Sequence, residues 1–283
     1  MPMRKITLRN GTELPVLGMG TWNVGDCTER RAEEIASLRA GIEAGLRVID
    51  TAEMYGGGRS ETLVGEAIDG VREEVFLVTK VLPSNASFEG VRRACRNSLQ
   101  RLGTDWLDLY LLHWRGGVPL AETVRGMESL RADGVIRDWG VSNFDVDDME
   151  ELEELGGFCA ANQILYNLEY RGVEFDLLDR DRVAGVVNMA YSPLGQGGEL
   201  LHHPVLDGIA ARHETSAGAA TAAQIALAWV LRRGDVLAIP KAGTMSHLRE
   251  NLLATELELT ESDLAALDGA FPPPRRKTRL AMI

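Results

Sequence analysis

Short runs rich in β-branched and other apolar residues alternate along the chain with longer segments whose apolar residues recur every three or four positions. The first pattern belongs to buried strands and the second to helices that bury one face. The runs fall near 17–21, 47–51, 75–80, 107–113, 138–143, 161–166, 186–192 and 236–241. Strands separated by helical segments in this way predict βα units and a parallel sheet. Within one helical segment Phe88, Val91, Cys95, Leu99 and Leu102 share a stripe, and Leu120, Val124, Met127 and Leu130 repeat the period. Ile6 and Leu8 alternate before Asn10-Gly11, with Leu14 beyond, which predicts a β-hairpin plugging one end of the sheet structure. Thr260 and Asp263 have the spacing of a capping box for a last helix. Phe271-Pro272-Pro273-Pro274 stops that helix and leaves an irregular basic tail over 271–283.

Eight such units predict a (β/α)8 TIM barrel with an N-terminal β-hairpin closing one end, and the 283 residues are close to the roughly 250 typical of that fold. The doubly wound alternative needs a glycine fingerprint, and Gly18-Met19-Gly20-Thr21-Trp22-Asn23 fails it at the last position. With no linker or composition shift in the middle, residues 1–283 are expected to form a single domain. Hydrophobic residues at 45% and charged residues at 25% suit a large soluble core. Forty-two acidic against 30 basic residues give a net charge of −12, which excludes a general phosphate-backbone binder, so no nucleic-acid partner is expected. No apolar stretch reaches membrane-spanning length and MPMRKITLRN lacks a signal-peptide core, so no membrane partner and a cytoplasmic location are expected. Cys27, Cys95 and Cys159 are odd in number and widely spaced, and are expected to be reduced, buried and inert. Only Lys5, Lys80, Lys241 and Lys277 are lysines, so each merits attention.

In a parallel barrel, functional groups gather on the face where strands end. The second strand ends in Asp50-Thr51 with Tyr55 shortly after, the third ends in Lys80, and the fourth ends in His113-Trp114. Neighbouring strands lie about 4.8 Å apart, so Asp50, Lys80 and His113 can meet on one rim. A phenol with a pKa of about 10 is a weak proton donor, and an adjacent ammonium is expected to lower that value. Lys80 can do this for Tyr55 while Asp50 keeps Lys80 charged and aimed, and His113 can hydrogen-bond the carbonyl oxygen that Tyr55 protonates. Taken singly, each has a plainer reading: Asp50 as a loop tie, Tyr55 as a surface tether, His113 as a core histidine. Together on successive strand ends they read as a site for carbonyl reduction.

The string 46–55, ending Ile49-Asp50-Thr51-Ala52-Glu53-Met54-Tyr55, followed by Gly58-Arg59-Ser60-Glu61, resembles the aldo-keto reductase signature. So do residues 107–113, Trp139-Gly140-Val141-Ser142-Asn143-Phe144 and Ile239-Pro240-Lys241, in order from Gly18 to Asn251. Met54 after Glu53 and the segment Pro274-Arg275-Arg276-Lys277-Thr278 resemble a bacterial branch that includes methylglyoxal reductases. The resemblance implies NADPH as cofactor, a small carbonyl substrate, a monomer, and catalytic roles for Tyr55, Lys80, Asp50 and His113. It implies that Ser142, Asn143 and Gln163 meet the nicotinamide carboxamide, with Tyr191 stacked on its ring. Gly20, Thr21, Trp22 and Asp50 join that cofactor set, and Ser192-Pro193-Leu194-Gly195 would bring backbone amides to the pyrophosphate, where glycine permits close approach.

Lys241, with Gly243 and Thr244 opening a short helix, matches the part of the family motif that meets the 2′-phosphate of NADPH, and Glu250 and Asn251 match its adenine-facing end. Two departures stand out: Ala242 occupies a serine position, and His247 an arginine position, with Arg249 displaced. NADPH is therefore expected over NADH, without strictness. Trp22 and Trp114, with Tyr55 and His113, match the substrate mouth, although tryptophans near barrel ends also serve packing. The tail 275–279 either closes over the pocket or is mobile. The competing classes are a nicotinamide-binding regulatory barrel with little turnover, and a dehydrogenase oxidising an alcohol or sugar hydroxyl. No metal is expected, because His202-His203 and His213-Glu214 lack ligand spacing, and residues 140–144 lack the second glycine of a nucleophile elbow.

Overall fold

The apolar runs form the eight strands of one parallel sheet in the computed structural model, which describes residues 3–241 and 243–283. An antiparallel hairpin comes first, β1 (Lys5–Thr7) on β2 (Glu13–Pro15). The sheet follows as β3 (Met19–Gly20), β4 (Val48–Asp50), β5 (Phe76–Val81), β6 (Leu107–Leu112), β7 (Ile136–Ser142), β8 (Cys159–Leu165) and β9 (Val187–Tyr191). A small hairpin of β10 (Glu214–Thr215) and β11 (Gly218–Ala219) precedes the eighth sheet strand, β12 (Val236–Ala238). Strands neighbouring in this order pair in parallel.

The sheet closes on itself. Leu17 bridges Ala238 and Gly20 bridges Lys241, both in parallel, while the amides of Gly18 and Gly20 donate to the carbonyls of Ala238 and Pro240 at 2.8 Å. A side-chain carbon on Gly20 would stand 2.6 Å from the Ile239 carbonyl oxygen, so only glycine lets the first and last strands approach here. The result is the expected (β/α)8 barrel.

Helices α1 (Arg31–Glu43), α2 (Arg59–Ile68), α3 (Phe88–Leu102), α4 (Leu120–Ala132), α5 (Val146–Glu154) and α6 (Leu177–Ala184) follow β3 to β8 in turn. α7 (Pro204–Ala210) and α8 (Ala222–Leu231) follow β9, and α9 (Met245–Leu253) and α10 (Glu261–Ala270) follow β12. Ser87 caps α3 by accepting from the Gly90 amide, and capping boxes at Asp145, Thr221 and Thr260 start α5, α8 and α10. Strands in such a barrel face packed side chains inside and helices outside, which is why every residue of β8 is buried.

The first hairpin lies at the opposite end from the strand-end rim. Arg9 covers the Phe158 ring ahead of β8, and the Asn10 side-chain amide donates to Asp138 near the start of β7. Ile6, Leu8, Leu14 and Val16 are buried beneath it. Its turn closes with the Gly11 amide donating to the Leu8 carbonyl at 2.8 Å, and Gly11 takes a φ of +89° that favours glycine. Burial pushes the thiols of Cys95 and Cys159 up to about 12, as inert cysteines require. Cys27 departs from the expectation of burial: it is half-buried in the loop after β3, its thiol 3.0 Å from Glu29.

Candidate active site

At the end of β5 the Lys80 ammonium is wholly enclosed and donates three hydrogen bonds, to Asp50 Oδ2 at 2.7 Å, the Thr51 carbonyl at 2.8 Å and the Tyr55 hydroxyl at 3.0 Å. The parallel register sets this up, because Asp50 ends β4 opposite Val78 of β5, two residues before Lys80 on the same face. Tyr55 opens a short helical turn that Gly56, Gly57 and Gly58 continue with positive φ, which folds the loop tightly back over the rim. Gln163 from β8 donates to Asp50 Oδ1 at 2.7 Å, so both carboxylate oxygens are held across the barrel mouth.

The Tyr55 hydroxyl accepts from Lys80 and, among the described residues, has no acceptor for its own proton. Lys80 Nζ also lies 4.7 Å from the centre of the Tyr55 ring. The His113 ring is 5.8 Å from that of Tyr55, nearly perpendicular, and its Nδ1 is buried without a partner. Trp22 meets Tyr55 edge-on at 5.0 Å, and Trp114 lies 4.9 Å from His113. The structure thus brings Asp50, Tyr55, Lys80, His113, Trp22 and Trp114 together at one mouth, where Trp22 is 45% exposed.

Burial dominates the electrostatics. It raises the Asp50 carboxyl above its usual value despite Lys80. Burial pulls the Lys80 ammonium down, but Asp50 and Tyr55 more than offset that and hold it above the ordinary lysine value. The expectation that Lys80 lowers the Tyr55 pKa is corrected: Lys80 does act downward, but loss of solvation outweighs it and the phenol stands above 10. Tyr55 is therefore protonated at neutral pH. Burial, aided by the Lys80 charge, brings His113 down to about 3, so the ring is neutral at physiological pH.

On the far side of the mouth the polar side chains are already linked. Ser142 Oγ donates to the Gln163 carbonyl at 2.8 Å, Asn143 donates to the His113 carbonyl and to Ser142 Oγ at 3.1 Å, and the Tyr191 hydroxyl donates to Asn143 Oδ1 at 2.9 Å. Among the described residues no hydrogen bond reaches Gln163 Oε1, whose Nε2 is the donor to Asp50. Asn143 and Ser192 carry φ of +60° and +46°, strained values for their types that turn the chain sharply at the ends of β7 and β9. Pro193 is buried behind this turn, and Leu194 and Gly195 begin a loop that Gly195 (φ +58°) opens outward. The tail ends here too. Burial pushes the Tyr191 phenol up to about 12, against the pull of the Ile283 backbone N–H that hydrogen-bonds to it. Upstream, Lys277 bridges Asp145 and Asp176, so the tail is held over the rim rather than left free.

Other predicted positions serve the scaffold. Gly20 is part of the barrel closure, and Thr21 is fully buried with its hydroxyl donating to the Asp50 carbonyl and accepting from Ser60. Its hydroxyl, amide and carbonyl are all engaged within the protein, which ties it to Asp50. Thr244 caps α9 by accepting from the His247 amide, His247 is exposed on the first turn, and Gly243 is buried beside Lys241. Glu250 accepts from Thr221, and Asn251 donates to the Lys241 carbonyl. Ala242 lies outside the described residues. Sequence reasoning missed the Thr51 carbonyl on Lys80, and Asn167, whose side chain braces the Ser192 carbonyl at 2.8 Å. An asparagine just past the sixth strand was the available signal for the second; a main-chain acceptor leaves none.

The sequence model of the aldo/keto reductase family matches residues 16–271 of the chain. Methylglyoxal reductase YeaE of Escherichia coli is 49% identical over the full length of both proteins. Glyoxal reductase of Bacillus subtilis is 38% identical over 93% of this chain and 91% of its own. The crystal structure of an aldo-keto reductase from Klebsiella pneumoniae in complex with NADPH superposes with a TM-score of 0.94, at 46% identity and with both chains fully covered.

Proposed function

The chain belongs to the aldo/keto reductase family, and from that premise we propose that it reduces small aldehydes and ketoaldehydes with NADPH, with Tyr55 as the proton donor. The observation that carries the reading is the Tyr55 hydroxyl, held by a buried Lys80–Asp50 pair with its own proton uncommitted. When bound, NADPH supplies the hydride. Ser142, Asn143 and Gln163 are the residues that would hold the nicotinamide, with Tyr191 against its ring. The donor set fits: amide and hydroxyl groups in a fixed network match a carboxamide that both donates and accepts.

Each protein group then has one task. Tyr55 gives its proton to the carbonyl oxygen as negative charge grows there, and the Lys80 ammonium steadies the phenolate left behind. Asp50 and the Thr51 carbonyl keep that ammonium in place. His113, neutral and with its Nδ1 unpartnered among the described residues, offers an N–H to the same oxygen. Trp22 and Trp114 wall the mouth and limit water. The relatives named for methylglyoxal and glyoxal reduction support small dicarbonyls as the substrate class.

The test is cofactor oxidation followed by absorbance with methylglyoxal, glyoxal and a panel of aliphatic and aromatic aldehydes, with NADPH and NADH in parallel. Turnover of the dicarbonyls with NADPH preferred is expected. Tight NADPH binding with no turnover of any carbonyl would overturn the reading.

A further inference from the structure

Where the first and last barrel strands meet, two cations, Lys241 and Arg30, are brought close together. Lys241, in bridge register with Gly20, has its ammonium 3.5 Å from the Asn23 carbonyl oxygen. Arg30, at the N-cap of α1, points to the same place: a side-chain carbon on Gly243 would lie 3.1 Å from Lys241 Cε and 3.8 Å from Arg30 Nη2. Among the described residues neither cation has an ion pair; Asp26 and Glu34, whose charges reach Lys241, are held by other groups, although Glu34 Oε1 has no hydrogen-bond partner. Asp26 is bound by Arg59 at 2.6 Å, and buried Glu34 accepts from the Gly25 amide at 2.9 Å.

Like charges brought together in this way repel unless something negative is added. Partial burial and the Arg30 charge both depress the Lys241 ammonium, and the carboxylates of Glu34 and Asp26 only partly oppose them. The N-terminus of α9 opens beside the pair at Thr244, adding its own positive end. A compact dianion would relieve the repulsion and gain a planar fork from Arg30 with a point charge from Lys241.

We propose that Arg30 is the second cation recognising the 2′-phosphate of NADPH, standing in for the arginine that His247 replaces, and so sets the preference for NADPH over NADH. This rests on the NADPH reading above and adds a residue from a different part of the chain. A guanidinium from the turn before α1 comes to the phosphate from a part of the chain that has no role at the nicotinamide, so its loss removes recognition of the phosphate without touching the nicotinamide.

The experiment is fluorescence titration of wild type, Arg30→Ala and Arg30→Lys with NADPH, NADH, adenosine 2′,5′-bisphosphate and adenosine 5′-monophosphate. Arg30→Ala is expected to weaken NADPH and the bisphosphate by about tenfold or more and to leave NADH and the monophosphate within about twofold. Arg30→Lys should recover part of the loss, and raising salt should narrow the gap between wild type and Arg30→Ala. Wild-type NADPH binding with an unchanged Arg30→Ala affinity would overturn this inference alone, as would equal loss of NADPH and NADH, which marks a structural role. Failure of the wild-type protein to bind either dinucleotide would overturn both this inference and the reading beneath it.

Discussion

Lys80 is shut inside the barrel mouth with Asp50, Thr51 and Tyr55 on its ammonium, whereas Lys241, just past the last strand, is only partly enclosed and has one long contact to the Asn23 carbonyl. Both are strand-end lysines on the same rim. A charge without water is held by its partners alone, and removing one partner strands the other, so the position of Lys80 is fixed before any ligand arrives. A partly solvated charge without an ion pair is available to whatever anion arrives. The same residue type thus serves chemistry in one place and recognition in the other, and burial makes the difference.

The comparison can be broken most sharply at Tyr55, the group Lys80 serves. Tyr55→Phe is expected to lower turnover by about 10²–10⁴ while NADPH affinity stays within about twofold, as steady-state rates and fluorescence titration will read. Next, Lys80→Met should destabilise the fold by about 3–5 kcal/mol in urea unfolding, because Asp50 is left buried and unpaired. Asp50→Asn with Lys80→Met should regain most of that, and a double variant no more stable than Lys80→Met would contradict the pairing argument.

A smaller effect is expected from His113. Its folded value of about 3 lies below the ordinary 6.5, so below pH 6.5 the unfolded chain takes up a proton that the folded chain refuses. Stability present above pH 6.5 is therefore lost as pH falls through the window from 6.5 to 3, by about 2 kcal/mol at pH 5. His113→Gln should flatten this part of the stability profile, and an unaltered profile would refute it. The smallest stability effect belongs to Lys241→Ala. It should weaken NADPH about tenfold, leave NADH nearly unchanged and alter unfolding by less than about 0.5 kcal/mol. A large loss of stability there would erase the distinction between the two lysines.

Particular residues show how far the sequence could be read. The strands were legible because β-branched runs such as 75–80 carry their own period, and Asp50, Lys80 and His113 were legible because strand ends share a face. The closure at Gly20 was not, since its need for glycine comes from the Ile239 carbonyl on a distant strand. Tyr55 was placed correctly but its proton affinity was misjudged, because the loss of solvation that outweighs Lys80 depends on packing. Arg30 carried no signal beyond its charge, since its nearness to Lys241 exists only once the barrel closes.

That closure has one more consequence. Residues from both sides of the join, Arg30 after β3 and Lys241 after β12, face the same spot, and the strands joined there are among the shortest in the sheet, two residues in β3 and three in β12. Every other pairing in the barrel is backed by a connecting βα unit, but this one unites the two ends of the sheet and has no such backing. A dinucleotide gripping both sides would work as a clasp, adding to resistance against unfolding in proportion to the logarithm of its concentration. The barrel would then open most easily at this seam, and the cofactor would double as the fastener of the fold that binds it.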